Sequence, residues 1–262
     1  MVFLTSTRSF LDFAINAAWQ AGQLTLSHFQ TGVSVDWKAD ASPVTIADRG
    51  SEELLRRLIG HKFPDHAIVG EEYGAANNDS NHRWIIDPID GTQSFIRGVP
   101  LYGVLIGLEI AGDPVVGVAH FPALGEMVAA ACGEGCRWNG RPAHVSYVSR
   151  LEDSLVLYTE LSGFAEHGKA EAWNRIQQAT RVQRGWGDCY GHCMVATGRA
   201  EVMLDPVMNV WDCAPLLPIL EEAGGTFTDW MGKATIHGND AFSTNGAVLQ
   251  DLLKLMRAKE TA

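Results

Sequence analysis

The sequence predicts an α/β fold in which sheets and helices lie in alternating layers. Along most of the chain, short apolar segments typical of β-strands are followed by segments with the apolar periodicity of helices. Between residues 101 and 132, apolar runs are instead separated by tight-turn sequences, which indicates an antiparallel meander. This combination favours layered α/β architecture over an all-α or all-β fold.

The individual elements follow from apolar periodicity and from the turn residues that bound each segment. Helices are predicted at 7–29, 51–59, 169–180, 188–196, 208–222 and 247–257. Strands are predicted at 33–37, 63–69 (after a Pro-Asp turn), 84–86, 101–110, 115–121, 127–132, 154–158, 181–183, 200–204, 226–228 and 241–243. Residues 38–43 and 73–83 are polar and are predicted to be loops.

Length and composition predict one globular domain over residues 1–262, with a large hydrophobic core. The chain has 262 residues, of which 46% are hydrophobic and 19% charged. Its formal net charge of -11 argues against nucleic acid and anionic membranes as partners. No apolar run approaches a membrane span of about 18 residues, and no leader pattern is present, so we expect a cytoplasmic protein. The five cysteines are an odd number and are expected to be reduced thiols rather than a zinc site.

The segment 84–95 is the strongest functional signal in the sequence. Asp87 and Asp90 follow an apolar strand and are separated by Pro88, whose fixed φ stiffens the turn. Two carboxylates at this spacing can face one hard cation such as Mg²⁺. Backbone amides of Gly91, Thr92 and Gln93 at the start of a helix would suit a phosphate group. On the motif alone, an ordinary strand-to-helix turn explains the pattern equally well.

Three further acids lie at the ends of predicted elements. Glu71 follows the strand 63–69, and Asp212 lies in the first turns of the helix 208–222. Carboxylates at such positions are typical of ligand sites in layered α/β folds. Asp48 precedes the helix 51–59, where an acid in the first turn is also a common capping residue, and the sequence leaves both interpretations open.

Taken together, Gly70-Glu71-Glu72, the segment Asp87-Pro88-Ile89-Asp90-Gly91-Thr92, and Trp211-Asp212 resemble the inositol monophosphatase family of Mg²⁺-dependent phosphatases. The resemblance covers roughly residues 8 to 255. It implies the αβαβα sandwich of the inositol monophosphatase and fructose-1,6-bisphosphatase type. It further implies a metal and phosphate half at about 1–150, a substrate half at about 151–262, and a homodimer.

The resemblance also implies residue roles. Two or three Mg²⁺ ions per active site, with Mn²⁺ as an alternative, would be held by Glu71, Asp87, the Ile89 carbonyl, Asp90 and Asp212. Asp48 and Thr92, together with Glu71, would activate the attacking water. Gly91, Thr92 and Gln93 would bind the phosphate oxygens.

The segments 184–192 and 93–100 resemble the histidinol phosphatase branch of the family. Asp188 and Asp205 would face the ammonium and imidazole of L-histidinol phosphate, although an acid at 205 would also suit an inositol or sugar hydroxyl. Trp186, or Tyr190, would pack against the imidazole ring; the alternative for both is core or dimer packing. Arg184 is a further candidate substrate contact or a dimer contact.

Three functional hypotheses remain after the sequence analysis. The favoured one is a Mg²⁺-dependent histidinol-phosphate phosphatase. The second has the same chemistry on inositol 1-phosphate, or broadly on sugar phosphates or nucleotide 3′-phosphates. The third, a non-catalytic binding module, is disfavoured because it would have no need for Glu71, Asp87, Asp90, Thr92 and Asp212 together.

Overall fold

The computed structural model describes residues 7–76 and 79–258. Eight α-helices lie within these ranges: α1 Thr7–His28, α2 Ile46–Lys62, α3 Thr92–Ile96, α4 Leu161–Glu166, α5 Ala170–Ala179, α6 Asp188–Ala196, α7 Val210–Glu222 and α8 Leu249–Arg257. Two 3₁₀ turns lie at Pro122–Leu124 and Leu151–Asp153. None of the helices in this part of the chain is long and apolar enough to cross a membrane.

The strands of the same ranges form three sheets. They are β1 Val35–Trp37, β2 Pro43–Thr45, β3 Ala67–Gly70, β4 Gly74–Ala76, β5 His82–Asp90, β6 Gly103–Ile110, β7 Asp113–Phe121, β8 Glu126–Ala131, β9 Gly135–Trp138, β10 Arg141–Pro142, β11 Leu155–Tyr158, β12 Val182–Arg184, β13 Val202–Asp205, β14 Thr226–Thr228 and β15 Ala241–Thr244. β1 and β2 pair as a small ribbon. The large sheet has the order β10-β9-β8-β7-β6-β5-β3-β4, and the small sheet has the order β12-β11-β13-β15-β14.

Most neighbouring strands are antiparallel. β3 and β5 are parallel in the large sheet, and β11 is parallel to both β12 and β13 in the small sheet. The strands β5 to β10 form an antiparallel meander, which confirms the meander predicted from the turn sequences.

Side chains alternate across each sheet and divide the core into layers. In β5, Trp84 and Ile86 pack against α1 and α2, whereas Ile85 between them faces the opposite side with α6 and α7. In β13, Met203 faces α6 and α7, whereas Val202 and Leu204 face α5 and α8. The order of layers is therefore helix, large sheet, helix, small sheet, helix, which confirms the predicted αβαβα sandwich.

Close contact between α7 and the large sheet depends on two glycines. Gly107 and Gly117 are directly paired across β6 and β7. A Cβ at Gly117 would lie 1.9 Å from the carbonyl oxygen of Pro215, and one at Gly107 would lie 3.0 Å from the backbone of Ala214. Only glycine fits where the helix backbone meets the strands. The first turn of α7, which carries Asp212, is thereby held against the large sheet.

Two predicted segments differ from the structure in ways that matter, and four further elements were not predicted. The helix predicted at 51–59 begins at Ile46, because Thr45 caps it. The predicted loop 73–83 contains β4, which pairs with β3; residues 77 and 78 of that loop lie outside the described residues. α4 and the short strands β2, β9 and β10 were not predicted, since none has a long apolar pattern.

Candidate active site

The two central acids lie at the end of β5, where the pairing with β6 shifts register. Asp87 pairs with Leu105 and Asp90 with Gly103, so one extra residue bulges out of β5 at Pro88–Ile89. Proline suits a bulge because it has no N–H to donate to the ladder. The amide of Ile89 donates to Oδ1 of Asp87 at 2.9 Å. The bulge thus turns both carboxyl groups toward the middle helical layer.

Gly91 then reverses the chain into α3 with φ of 81°, a left-handed conformation that glycine adopts at little cost. A Cβ at this position would lie 3.1 Å from Oδ2 of Asp188 and 3.1 Å from the carbonyl oxygen of Leu101. α3 confirms the predicted helix start, but it has only five residues. Aligned peptide dipoles therefore contribute little here, and any anion binding depends on the individual amides.

Asp212 reaches the same point from α7. Its Oδ2 accepts the amide of Asn209 at 2.7 Å, and the Asn209 side chain caps the helix in return. Carboxylate oxygens of Asp87, Asp90 and Asp212 lie within 4.8 Å of one another. We call these three residues the acidic cluster. The large sheet and the middle helices are both needed to form it.

Glu71 lies beside the acidic cluster and pairs with a lysine. Lys38 Nζ donates to Oε1 of Glu71 and to Oε1 of Glu72, each at 2.7 Å. Burial lowers the pKa of Lys38, but the hydrogen bonds and charges of the two glutamates outweigh it and raise that pKa. Burial raises the pKa of Glu72 to about 7, despite the hydrogen bond from Lys38. Lys38 thus lies at the candidate site and is paired with two carboxylates.

The carboxylates of the acidic cluster repel one another. Burial raises the pKa of Asp87 well above its usual range, and the charges of Glu71, Asp90 and Asp212 add to this. Burial also raises the pKa of Asp90 to about 6, against the hydrogen bonds from Cys189. Burial and the charge of Asp90 raise the pKa of Asp212. A set of one buried and two half-buried carboxylates that repel one another fits a hard divalent cation.

A chain of hydroxyl and carboxyl groups lies next to the cluster. The Thr92 hydroxyl is 3.3 Å from Oδ1 of Asp48 and 3.0 Å from the Ile89 carbonyl oxygen, and it can donate to either. Oδ2 of Asp48 accepts the amide and the hydroxyl of Thr45 at 2.8 and 2.6 Å. Burial raises the pKa of Asp48. Asp48 is therefore both a capping acid of α2 and a neighbour of Thr92, so the two interpretations left open by the sequence are compatible.

Asp188 approaches from the N-terminus of α6 with φ of 53°, which is uncommon for a residue other than glycine. Its amide donates to the Thr159 hydroxyl at 2.8 Å. Burial raises the pKa of Asp188, and the charges of Asp90, Asp205 and Asp212 raise it further. Strained backbone at a carboxyl group surrounded by other carboxyl groups is typical of a functional position.

The residue after Asp188 connects α6 to the acidic cluster. The Cys189 amide donates to Oδ2 of Asp90 at 2.6 Å, across 99 residues of sequence. Burial raises the pKa of the Cys189 thiol, and the charge of Asp90 raises it further, so the thiol is a neutral neighbour of that carboxylate. All five cysteines are free.

Asp205 is held in place by a buried histidine on α6. His192 is fully buried, and its Nε2 lies 3.1 Å from Oδ2 of Asp205 while its Nδ1 contacts the Ser243 hydroxyl. The Asp205 carbonyl oxygen accepts the indole N–H of Trp230 at 3.0 Å. The position of His192 one turn after Asp188 on α6 is the only signal in the sequence for this role.

A cavity of about 80 Å³ joins the acidic cluster to the proposed substrate residues. It is lined by Asp90, Thr159, Asp188, Cys189, Asp205, Val207, Met208 and Asp212. A larger cavity of about 470 Å³ lies between α1 and the strands β8 and β9. None of the residues that line this second cavity is acidic, whereas four aspartates line the smaller one, so the smaller cavity is the one suited to a cation.

The other candidate substrate residues are not part of the lining of the smaller cavity. Trp186 is 41% exposed. The guanidinium of Arg184 donates to the Gln183 carbonyl. Tyr190 packs edge-on against Phe121 and receives a hydrogen bond from Arg199, so it has the core-packing role that the sequence left open.

The side chain of Gln93 already has a partner, because its amide oxygen accepts a hydrogen bond from the Arg97 guanidinium. Its backbone amide remains the candidate phosphate donor.

Comparisons with known proteins agree with this geometry. The model of the inositol monophosphatase family matches residues 6–260. A histidinol-phosphatase from Chlorobaculum parvum is 45% identical over 93% of this chain and 95% of its own length. A histidinol-phosphatase from Mycobacterium tuberculosis is 36% identical over 95% of this chain and 98% of its own.

The crystal structure of the extragenic suppressor protein suhB from Bartonella henselae superposes with a TM-score of 0.89. It is 26% identical and covers 96% of this chain and 100% of its own. Sequence and fold therefore lead to one conclusion: the chain is a phosphomonoesterase and belongs to the inositol monophosphatase family.

Proposed function

We propose that this enzyme hydrolyses L-histidinol phosphate to L-histidinol and phosphate in a Mg²⁺-dependent reaction. The observation that carries the proposal is that Asp188 and Asp205 line one cavity with Asp90 and Asp212. A phosphate beside the acidic cluster would thus have two further carboxyl groups on its substrate side. The activity named for the two bacterial relatives supports the same substrate.

The family is metal-dependent, and the acidic cluster supplies the donors that such a metal needs. We propose Mg²⁺, with Mn²⁺ as the alternative, held by Glu71, Asp87, the Ile89 carbonyl, Asp90 and Asp212. When bound, the metal supplies Lewis acidity, which lowers the pKa of water and offsets the charge that develops on the phosphoryl and leaving oxygens.

Asp48 and Thr92 have the arrangement needed to orient and deprotonate that water. If the Thr92 hydroxyl donates to Asp48, its lone pairs remain free to accept a proton from water. The raised pKa of Asp48 makes its carboxylate a better proton acceptor, and Thr45 keeps the carboxylate in place. Glu71, whose charge acts on Asp87, is proposed to assist them. We therefore propose direct attack by water without a phospho-enzyme.

The amides of Gly91, Thr92 and Gln93 are the proposed donors to the phosphate oxygens. The left-handed turn at Gly91 directs the chain so that these amides begin α3 beside Asp90. Phosphoryl transfer requires mainly in-line positioning and charge neutralisation, which fixed backbone donors provide without reorganisation.

Recognition of the histidinol moiety is proposed to depend on charge. Asp188 and Asp205 offer carboxylates to the ammonium and imidazole groups of the substrate. A cationic substrate would relieve the repulsion that, together with burial, raises the pKa of Asp188. Trp186, exposed two residues before Asp188, is the proposed apolar contact, and Arg184 remains a candidate farther out.

An inositol 1-phosphatase, or a broader sugar-phosphate or nucleotide 3′-phosphatase, is the second candidate, since Asp205 would equally accept a hydroxyl group. A homodimer, a cytoplasmic location and the division into a metal half and a substrate half stay predictions from the sequence.

Phosphate release from L-histidinol phosphate tests the proposal. We expect release with Mg²⁺, loss after chelation, and recovery when Mg²⁺ is added back. Asp90→Asn is expected to lower kcat by about 10³-fold or more with folding intact, and the exposed Asp113→Asn is the matched control. Release that persists after chelation, or in Asp90→Asn, would contradict the metal site.

A further inference from the structure

A buried carboxylate outside the acidic cluster holds the turn that carries Glu71. Glu52 lies on α2, one turn after Asp48, and is fully buried. A charged side chain is rarely buried unless hydrogen bonds and an opposite charge compensate for its lost hydration. The partners of Glu52 are therefore informative.

All of these partners belong to, or contact, the turn after β3. Oε2 of Glu52 accepts the amide of Glu72 at 2.7 Å, and Oε1 accepts the amide of Tyr73 at 3.2 Å. Arg56, one turn later on α2, donates to Oε1 of Glu52 at 2.7 Å and also contacts the Gly74 carbonyl. Glu52 and Arg56 thus bind both the amides and a carbonyl of the turn.

The fit of Glu52 against this turn is also steric. A Cβ at Gly70 would lie 2.2 Å from Oε1 of Glu52. β3 ends at Gly70, and beyond it the Glu71 amide makes a 3.3 Å hydrogen bond to the Ile86 carbonyl. Glu71 therefore lies between Gly70, which packs against the Glu52 carboxylate, and Glu72, whose amide donates to that carboxylate.

We propose that Glu52, supported by Arg56, is a positioning residue for metal binding, because it holds the turn that presents Glu71 to the acidic cluster. The inference rests on the proposed role of Glu71 as a metal ligand. It is independent of which phosphate ester is hydrolysed, since Glu52 does not line the cavity that contains Asp188 and Asp205.

Glu52→Gln tests this with little change in shape. One carboxylate oxygen becomes an N–H₂ group, which must face an N–H donor, and Arg56 loses its counter-charge. The matched control is Glu53→Gln: Glu53 is the next residue on α2 and is bonded to the Tyr73 hydroxyl at 2.7 Å, yet it is exposed. Mn²⁺ binding by electron paramagnetic resonance and Mg²⁺ binding by calorimetry measure the metal affinity directly.

We expect Glu52→Gln to weaken metal affinity by about 10-fold or more, as is usual for residues that orient metal ligands. Glu53→Gln should stay within about 2-fold of wild type. If Glu52→Gln does not fold, Arg56→Lys replaces it as the test. This milder change should weaken metal affinity by less than is expected for Glu52→Gln and by more than is expected for Glu53→Gln. Unchanged affinity in a folded Glu52→Gln protein, or in Arg56→Lys when Glu52→Gln does not fold, would overturn the proposal.

The outcome is distinguishable from failure of the proposed function. Wild-type protein that binds Mg²⁺ but does not hydrolyse histidinol phosphate would remove the substrate assignment and leave the role of Glu52 testable by affinity. Wild-type protein that binds no divalent cation would overturn both.

Discussion

The Thr92 hydroxyl lies 3.3 Å from Oδ1 of Asp48, and this contact joins the first turn of α2 to the first residue of α3. Removing the hydroxyl is a cleaner test of the proposed water activation than changing Asp48, because Asp48 also caps α2. We expect Thr92→Val to lower kcat by about 10²- to 10³-fold with little change in KM, the range typical of general-base catalysis.

Thr92→Ser keeps the hydroxyl and is expected to retain kcat within about 10-fold of wild type. Steady-state kinetics with saturating Mg²⁺ measure both variants. Equal losses in the two variants would show that the methyl group matters and not the hydroxyl, which contradicts the assigned role.

Stability should depend on pH and metal together. Burial raises the pKa of Asp90 to about 6, whereas a carboxyl group in the unfolded chain titrates near 4. The folded protein without metal therefore binds more protons than the unfolded chain between these values. Stability from this group is fully present below about pH 4 and is lost as pH rises through about 6. Asp87 and Asp212 shift in the same direction.

A divalent cation replaces those protons, so added Mg²⁺ should raise Tm more at pH 8 than at pH 5. Thermal unfolding with chelator and with Mg²⁺ across this pH range measures the difference in Tm. Groups that do not bind metal contribute equally to both measurements and cancel in the difference; one of them is the buried His120, whose pKa burial lowers. A metal-induced rise in Tm that is the same at both pH values would contradict the charge balance described for the cluster.

Asp188→Asn tests substrate selection without disturbing the backbone. Asparagine tolerates the left-handed conformation that Asp188 adopts, so the change removes mainly the negative charge. We expect kcat/KM for L-histidinol phosphate to fall by about 10- to 100-fold, the loss of one charge-assisted hydrogen bond. Inositol 1-phosphate, which has no cationic group, should be affected by less than about 3-fold. Equal losses for both substrates would assign Asp188 to the site structure and not to substrate choice.

The contact between β7 and α7 predicts a stability effect. Gly117→Ala places a Cβ 1.9 Å from the Pro215 carbonyl oxygen, so α7 must move away from the large sheet. We expect a loss of about 3 kcal/mol in the free energy of unfolding, measured in urea. Gly60→Ala on α2 meets nothing within 4 Å and should be neutral or stabilise by about 0.5–1 kcal/mol. A Gly117→Ala protein as stable as wild type would contradict the packing described.

The sequence predicted most helices and strands because their apolar patterns are long. α6 at Asp188–Ala196 and β14 at Thr226–Thr228 have the predicted bounds. The prediction of α2 begins five residues too late, because the cap at Thr45 was not recognised, and ends three residues before Lys62. β4 was missed because Gly74–Ala76 has no apolar alternation and forms a strand only by pairing with β3.

Several site contacts could not be predicted because they join distant parts of the chain. The acids of the cluster stand in a recognisable motif, whereas the Cys189 amide reaches Asp90 across 99 residues. No local pattern identifies Lys38 as a neighbour of the acidic cluster, and its contact with Glu71 is seen only in the folded chain. His192 lies one turn after Asp188 on α6, and nothing else in its local sequence distinguishes it from an ordinary buried histidine.

The comparison of kcat/KM for L-histidinol phosphate and inositol 1-phosphate, with saturating Mg²⁺ and wild-type enzyme, tests the proposed function most directly. Carboxylates at Asp188 and Asp205 should favour the cationic substrate by about 100-fold or more, which corresponds to about 2.7 kcal/mol of transition-state discrimination. A similar kcat/KM for the two esters, or a preference for inositol 1-phosphate, would contradict the substrate assignment.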